Sequence, residues 1–310
     1  MCPNDAARGP DAPEPVGDRA ERSMNRQALV SIGLPVYNGA RFLSQALESL
    51  LGQSYRNIEL IISDNASTDA TREICQSYAS LDRRVRHSRL TENIGGVPNH
   101  NRVFEAAKGE YFMWSSHDDL WAPTYVEKCV AALEEDRGAV LAYSKARVID
   151  ERGETKRVLE VQHTANSPRP ADRFREFTAL SSILEASYGV MRLSVARRTA
   201  GLPPHPGNDR LFLAELALYG RFVQVLEHLY MRRDHDDRSV KVYSTLRERY
   251  AWIAPREARK RRFPYWGYLA GYTSAASRVP LSLRDRAACA RVLLALVKHN
   301  WRELLGDLIR

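Results

Sequence analysis

The sequence predicts an α/β fold, in which helices pack on both faces of a mostly parallel sheet. Apolar runs of strand length alternate with segments of helical periodicity over residues 28–150. The apolar runs are continuous, as is typical of strands buried on both faces. Polar residues follow the runs, at the carboxyl ends where open α/β sheets bind their ligands.

The elements can be placed in order along the chain. The first strand is closed by Pro35, and the helix after it carries an apolar stripe that includes Phe42 and Leu50. Ser67 or Thr68 opens the second helix as a capping residue. The predicted strands cover 28–36, 57–65, 83–90, 110–116 and 139–150. The helical segments between them cover 39–53, 67–79 and 122–136, and 95–109 is predicted as a loop followed by a helix that ends at Gly109.

The pattern loosens after residue 150. We expect a loop leading into a helix at 166–174, an amphipathic helix starting near Asn208, and a helical tail over 284–310. Residues 1–27 lack the apolar core of a secretory signal and are expected to be a disordered leader. The domain prediction is therefore a core at 28–240 followed by a basic helical extension at 241–310.

Charge is distributed unevenly along the 310 residues. Residues 221–310 contain 19 Lys and Arg against 9 Asp and Glu, whereas the whole chain has a net charge of +8. This asymmetry predicts an anionic partner surface. No aromatic-and-basic RNA motif or helix-turn-helix pattern accompanies it, so we expect no nucleic acid and favour a membrane surface.

The segment at 260–272 fits such a surface. It places three cations beside four aromatic residues, a mixture typical of membrane interfaces. The cations are Lys260, Arg261 and Arg262, and the aromatic residues are Phe263, Tyr265, Trp266 and Tyr268. The alternative is a basic surface around an intramolecular helix. No run approaches 18 apolar residues, and the four cysteines show no CxxC spacing, which suggests reduced thiols in a cytosolic protein.

The stretch YFMWSSHDDLWAP at 111–123 places two adjacent carboxylates, Asp118 and Asp119, after a strand. Neighbouring like charges repel each other, so the pair calls for a partner, and a divalent metal is the obvious one. The alternative is a helix cap, with Pro123 in the first turn, but a cap needs only one Asp.

Two long stretches, PVYNGARFLSQALESLLGQSYRNIELIISDNASTDAT and NIGGVPNHNRVFEAAKGEYFMWSSHDDLWAP, resemble the family-2 glycosyltransferases of the GT-A fold. The resemblance covers residues 28–140 closely and continues loosely to about 240. It implies a GT-A domain that transfers a sugar from a nucleotide-sugar donor to an acceptor, with inversion and a divalent metal, Mn²⁺ or Mg²⁺.

The resemblance also implies roles for the residues that bind the donor. Asp64 would bind the imino N–H of a uracil- or thymine-type base, and Tyr37 would flank that base. The alternatives are an Asx turn for Asp64 and simple packing for Tyr37. Asn93 and Gly95 would form a turn beside the nucleotide, although such a turn is also common without a ligand. The expected donor-binding residues are Pro35, Tyr37, Asn38, Asp64, Asn93, Gly95 and Asp118.

For the reaction itself, the resemblance assigns the metal to Asp119, while Asp118 would hold the ribose or sugar. His235 would complete the metal shell or touch the diphosphate, with a solvated loop histidine as the alternative. Asp209 would be the catalytic base, although Asn208 departs from the acidic residue that the family carries before it. Asp209 also fits a helix N-terminus, and both roles can hold together.

The leading hypothesis is a metal-dependent glycosyltransferase acting on a glycan or a lipid-linked acceptor. We expect it to be cytoplasmic, with peripheral attachment at the inner face of the cell membrane left open. A catalytically silent glycosyltransferase-like scaffold is the alternative, supported only by Asn208. A nucleotidyltransferase would carry a Gly-rich basic loop after the first strand, and PVYNGARF is not such a loop.

Overall fold

The computed structural model describes residues 27–160, 165–178, 185–255 and 263–309. The predicted leader, apart from Gln27, and the predicted basic cluster Lys260, Arg261 and Arg262 lie outside these residues. The strands are β1 (Val30–Val36), β2 (Ile58–Asp64), β3 (Val85–Arg89), β4 (Tyr111–Trp114), β5 (Leu120–Trp121), β6 (Ala139–Ile149), β7 (Thr155–Leu159), β8 (Val190–Arg192) and β9 (Arg221–Arg233).

The helices lie between these strands in the sequence and, from Ser239 onwards, follow the last strand. They are α1 (Ala40–Leu51), α2 (Thr71–Leu81), α3 (Gly96–Glu105), α4 (Tyr125–Glu135), α5 (Pro170–Thr178), α6 (Leu193–Ala196), α7 (Asn208–Tyr219), α8 (Ser239–Val242), α9 (Leu246–Ile253), α10 (Pro264–Arg278), α11 (Leu283–His299) and α12 (Trp301–Ile309). A short 3₁₀ helix, Glu185–Tyr188, precedes β8.

Within the described residues the strands form one nine-stranded sheet in the order β3-β2-β1-β4-β8-β6-β9-β5, with β7 added beside β6. Strands β3, β2, β1 and β4 are parallel, and Val30 lies opposite both Ile58 and Tyr111. This confirms the predicted parallel sheet. Since β1, β2 and β4 point the same way, the residues that follow them meet at one edge of the sheet.

The two faces of the sheet carry separate apolar cores, which confirms the prediction of helices on both faces. Leu34 of β1 packs with Leu43 and Leu47 of α1 in one core. Phe112 of β4 packs with Val103 of α3 in the other. Every residue of β1 is buried, because alternate side chains enter opposite cores.

Helix α7 corrects one prediction. The sequence indicated an amphipathic helix near Asn208, but nine of the twelve residues of α7 are buried. The helix belongs to the apolar core on the α3 face of the sheet, where α5 and α10 also pack against it. An ion pair of 2.6 Å between Glu215 of α7 and Arg278 of α10 joins the two helices.

The C-terminal helices continue this packing. The Tyr272 hydroxyl, on α10, donates to the carbonyl oxygen of Phe177 at 2.8 Å. The predicted helical tail is present, but Asn300 divides it into α11 and α12. Among the described residues, none of the helices combines the length and the apolar character needed to cross a bilayer.

Candidate functional site

A cavity of about 500 Å³ opens at the carboxyl ends of β1, β2 and β4. The structure brings seven of the sequence-predicted site residues to its wall: Pro35, Tyr37, Asn38, Asn93, Asp118, Asp119 and His235. Three others, Asp64, Gly95 and Asp209, are not among its lining residues. The clustering follows from the topology, because the loops after neighbouring parallel strands must lie side by side.

Asp118 and His235 form a hydrogen-bonded carboxylate–imidazole pair in this wall. His235 Nε2 lies 2.9 Å from Asp118 Oδ2, and Ser116 donates its hydroxyl to Oδ1 of the same carboxylate. Burial raises the pKa of Asp118, but the charge of His117 and the hydrogen bonds from His235 and Ser116 outweigh it, so the pKa lies well below its usual range. The carboxylate is therefore ionised and faces an imidazole.

Asp119 points elsewhere. Its Oδ2 accepts a hydrogen bond of 2.5 Å from the Tyr230 hydroxyl, and its Oδ1 accepts one of 2.8 Å from the backbone N–H of Arg233. Burial, and then the neighbouring charge of Asp118, raise the pKa of Asp119. Both oxygens of Asp119 thus bind the strand β9, whereas the Asp118 carboxylate contacts Ser116 and His235, two residues that line the cavity.

Arg233 lies next to the site but outside the cavity wall. Neither Arg232 nor Arg233 is among the residues that line the cavity. The fully buried guanidinium of Arg233 donates to three backbone carbonyl groups, of Asp118, Asp150 and Glu151, at 2.8–3.1 Å. It also packs over the ring of Phe42 at 4.6 Å. Arg233 therefore fixes the loop that carries Asp118.

Two other arginines line the cavity in its place. Arg41 is held by ion pairs with Glu151 at 2.6 Å and Asp237 at 3.1 Å. Arg238 lies nearby and interacts electrostatically with Asp119. Arg238 lies in the segment YMRRDHDDRSV together with Arg232 and Arg233. Nothing in the local sequence distinguishes Arg238, which lines the cavity, from the other two.

At the opposite end of the cavity, Asn65 organises the turn that contains Asn93. Its side-chain Nδ2 donates to Asn93 Oδ1 at 2.9 Å, while its Oδ1 accepts from the backbone N–H of Ile94 at 2.9 Å. Gly95 has φ +96°, and a Cβ there would lie 2.4 Å from Pro255. Gly95 is thus required by the backbone conformation and by close packing rather than by a lining role.

Asp64 adopts the turn that the sequence offered as its alternative role. Its Oδ1 accepts from the backbone N–H of Ser67 at 2.8 Å, and Arg89 Nε lies 3.1 Å from Oδ2. The side chain is fully buried beneath the cavity. Base recognition by Asp64 stays a prediction.

Asp209 lies in the first turn of α7, after the N-cap residue Gly207, and its side chain is half-buried. Burial raises the pKa of Asp209 above its ordinary value, against the lowering effect of Arg210. Tyr188 lines the cavity and interacts electrostatically with Asp209 as well as with Asp118. Asp209 therefore lies near Tyr188 but is not itself among the residues that line the cavity.

Helix α10 holds the loop that leads to Asp209. His205 Nδ1 accepts from the backbone N–H of Gly207 at 3.1 Å, so its Nε2–H donates to the carbonyl oxygen of Pro264 at 2.9 Å. A Cβ at Gly207 would lie 2.1 Å from the Tyr268 hydroxyl, which leaves room only for glycine. The C-terminal helices thus reach to within a few residues of the predicted base.

The chemistry of the donor set fits a divalent cation that is shared with a ligand. Among the described residues, no group of three or more His, Cys, Asp or Glu side chains is arranged to hold a metal. Asp118 and His235 offer one carboxylate and one imidazole, and Mn²⁺ or Mg²⁺ bound with a nucleotide takes its further ligands from phosphate oxygens and water. Two protein ligands suit that arrangement.

Comparison with known proteins adds relatives of similar sequence. An uncharacterized glycosyltransferase of Rickettsia typhi is 38% identical over 125 residues, which are 40% of this chain and 38% of that protein. TuaG of Bacillus subtilis, named as a teichuronic acid biosynthesis glycosyltransferase, is 38% identical over 34% of this chain and 41% of its own length. The chain thus spans less than half of the length of these curated relatives.

Solved structures of similar fold extend over more of the chain. S. aureus TarS, in complex with UDP-GlcNAc, superposes with a TM-score of 0.63 at 16% identity over 90% of this chain and 79% of that one. The mannosyltransferase PcManGT from Pyrobaculum calidifontis, in complex with GDP-Man and Mn²⁺, gives 0.51 at 18% identity over 94% and 90%. These similarities establish the GT-A fold.

The family profile of glycosyl transferase family 2 matches residues 31–198. That range contains β2 to β8, all of β1 except Val30, the paired aspartates and the turn with Asn93, and it covers more than half of the chain. The match, the fold and the named relatives agree with the resemblance seen in the sequence, and the chain belongs to glycosyl transferase family 2.

Proposed function

We propose that this chain transfers a sugar from a nucleotide-diphosphate sugar to an acceptor hydroxyl by a metal-assisted, inverting displacement. The observation that carries the proposal is the pairing of Asp118 with His235, 2.9 Å apart, in the wall of a 500 Å³ cavity. A cavity of that size accommodates a nucleotide-sized ligand. Two structures of this fold hold UDP-GlcNAc and GDP-Man with Mn²⁺, respectively.

Asp118 and His235 would hold the metal in this proposal. The sequence-based prediction gave the metal to Asp119, but both oxygens of Asp119 accept hydrogen bonds from β9. Asp118 is ionised, and the partners of its carboxylate, Ser116 and His235, line the cavity. When bound, the cation would neutralise charge on the leaving diphosphate. Arg238 would add positive charge on the same side of the cavity.

Asp209 is the proposed general base. Its carboxylate would accept the proton of the acceptor hydroxyl as that oxygen attacks the anomeric carbon, which inverts the configuration in a single step. A carboxyl whose pKa is raised by burial is a better proton acceptor than an ordinary Asp. The electrostatic interaction of Asp209 with Tyr188, which lines the cavity, supports a location of this carboxylate near the cavity wall.

Tyr37, Asn38 and Asn93 would line the donor's nucleoside. Tyr37 is 37% exposed and presents its ring to the cavity. Asn38 is held at φ +50°, with its Oδ1 accepting from the backbone N–H of Thr68 at 2.8 Å. Pro35 and Asp64 would shape this end from beneath, through β1 and the turn after β2.

We also propose that the acceptor is a glycan or a glycolipid and that the enzyme docks on the inner face of the cell membrane. A relative named for teichuronic acid biosynthesis supports a polysaccharide product. On α12 an apolar stripe of Trp301, Leu305, Leu308 and Ile309 is about half or more exposed at each position. Arg302 stacks over Trp301 at 5.3 Å, in the quarter of the chain that carries the positive excess.

Incubation with a panel of nucleotide-sugars, with and without Mn²⁺, tests the activity. We expect one donor to be consumed, slowly by hydrolysis and faster with an acceptor, and only with the metal. Binding of a donor without any turnover would instead favour the catalytically silent scaffold that Asn208 suggests. Consumption at the same rate without a divalent ion would contradict the metal-assisted displacement.

A further inference from the structure

The cavity has two chemically different ends. Asp118, after β4, carries the carboxylate that pairs with His235. Asn65 follows β2 on the other side of β1, and Asn38, next to Tyr37, accepts a hydrogen bond from Thr68 of the same loop after β2. Strands β2 and β4 flank β1, so these ends are about 10 Å apart at roughly 4.8 Å between neighbouring strands. That separation matches the distance from the diphosphate of a nucleotide to its base.

Two aromatic residues from the C-terminal part of the chain line the end near Tyr37. Tyr243 follows α8 and Trp252 lies on α9, and both belong to the cavity wall. Their rings stack, with centroids 5.4 Å apart and an angle of 19° between the planes. The ring of Tyr243 is close enough to Tyr37 for the two hydroxyl groups to interact electrostatically.

The stack is anchored on its Trp252 side. Trp252 packs against the apolar core, and a Cβ at Gly96 would lie 3.3 Å from the indole, so glycine lets α3 begin directly against this ring. Ile253 and Pro255, which follow Trp252, enclose Gly95 on the adjacent turn. Tyr243 therefore rests on a rigid surface that the turn with Asn93 also contacts.

We infer that Tyr243 and Trp252 form an aromatic wall of the nucleobase subsite. The inference rests on the proposed function, because it specifies which part of the donor this end receives. Both residues lie outside the range 31–198 that the family profile matches, so family membership does not assign them. A planar base presents a π-face to such a wall whatever its identity.

This arrangement predicts a particular pattern of affinity. Stacking on Tyr243 contributes to the binding of any base, whereas hydrogen bonds to base edges set the choice between bases. Loss of the Tyr243 ring should therefore weaken the binding of UDP and of GDP by similar factors. Pyrophosphate, which has no base, should bind the variant and the wild type equally well.

Isothermal titration calorimetry with UDP, GDP and pyrophosphate, each with Mn²⁺, tests the inference. Tyr243→Ala should raise the Kd of the nucleotide that the wild type binds by about tenfold or more, the scale of base–aromatic stacking. Tyr243→Phe keeps the ring and should bind as the wild type does. Trp252→Phe should fall between the two, and Trp301→Ala, on α12, serves as the matched control.

The outcomes separate this inference from the proposed function. Wild-type affinity of Tyr243→Ala for a nucleotide that the wild type binds would overturn the aromatic wall and leave the glycosyltransferase proposal intact. If Tyr243→Ala weakened the binding of pyrophosphate as much as that of the nucleotide, the inference would also fall. The substitution would then have disturbed the whole site rather than removed a contact with the base. If the wild type binds neither nucleotide nor any other nucleoside diphosphate, both proposals fall.

Discussion

The backbone N–H of Arg233 donates a 2.8 Å hydrogen bond to Asp119, while the guanidinium of the same residue binds the carbonyl oxygen of Asp118. One residue of β9 thus holds both members of the aspartate pair. Arg233 binds the side-chain carboxylate of Asp119 and the backbone carbonyl of Asp118. The carboxylate of Asp118 therefore stays directed at His235. The two adjacent aspartates therefore differ in role, because the Asp119 carboxylate is hydrogen-bonded to β9 and the Asp118 carboxylate is not.

The first prediction concerns stability. Asp119→Ala leaves the Tyr230 hydroxyl and the Arg233 N–H buried without their acceptor, so the free energy of unfolding should fall by about 1–3 kcal/mol or more. Urea denaturation measures it. Tyr230→Phe leaves only the Asp119 Oδ2 oxygen without its donor, so it should cost about 1–3 kcal/mol and less than Asp119→Ala, which leaves two donors unpaired. An Asp119→Ala variant of unchanged stability that loses only its Mn²⁺ response would restore the sequence-based assignment of the metal to Asp119.

The second prediction concerns the metal. Asp118→Asn keeps the shape of the side chain but removes the charge that a hard cation prefers. We expect Mn²⁺-dependent transfer to be lost while the urea midpoint stays near that of the wild type. His235→Gln should weaken the response to Mn²⁺ in the same direction, visible as a higher metal concentration for half-maximal activity. Full Mn²⁺ stimulation in both variants would exclude this pair as the ligands.

The sequence predicted β1 to β4, β6 and the intervening helices because each has a strong local pattern. It missed β5, β7, β8 and β9, which are defined by pairing rather than by pattern. β5 has two residues and exists through pairing with Tyr230 and Met231 of β9, while the thirteen residues of β9 are mostly half-buried or exposed. No apolar run marks such strands.

The candidate site divides in the same way. Motifs indicated Asp118, Asp119 and His235, and all three line the cavity. Their directions depend on contacts between residues more than a hundred positions apart, such as Tyr230 with Asp119. Tyr243 and Trp252 had no recognisable motif, because an aromatic pair nine residues apart is ordinary in sequence and becomes a stack only in the fold.

The third prediction concerns the base. Asp209→Asn removes the proton acceptor, so the transfer rate should fall roughly a hundredfold or more, the scale of general-base effects, with donor affinity near that of the wild type. Steady-state rates and donor Kd values give the two quantities. Weakened donor binding with surviving turnover would make Asp209 a binding residue.

The pH profile tests the same residue independently. Burial raises the pKa of Asp209, and only the ionised carboxylate accepts a proton. Activity should therefore fall as the pH drops through that raised pKa, with a midpoint above the ordinary Asp value of about 3.9. Donor affinity measured at each pH separates this effect from protonation of the metal ligands. A profile that is flat down to pH 4 would contradict a base with a raised pKa.

The fourth prediction concerns the membrane. The wild type should co-sediment with vesicles that contain anionic lipid, and less so as salt rises, because surface charge is screened. Replacing Trp301 and Leu305 together by Ser should weaken this binding about tenfold or more, since each apolar side chain moved fully out of water contributes roughly 1.5–3 kcal/mol.

The matched control for that experiment is Leu226→Ser, which replaces an exposed leucine on β9 rather than on α12. It should bind vesicles as the wild type does. Equal binding of the wild type to neutral and anionic vesicles, or to neither, would favour a basic surface without a membrane role.

The central claim is that the cavity binds a nucleotide-sugar through a metal held by Asp118. Calorimetric titration of the wild type and of Asp118→Asn with a panel of nucleoside diphosphates, with and without Mn²⁺, tests it most directly. We predict that one nucleotide binds the wild type with an affinity that rises at least tenfold when Mn²⁺ is present, and that Asp118→Asn loses this increase. An equal rise with Mn²⁺ in both proteins, or no nucleotide bound by the wild type, would contradict the account.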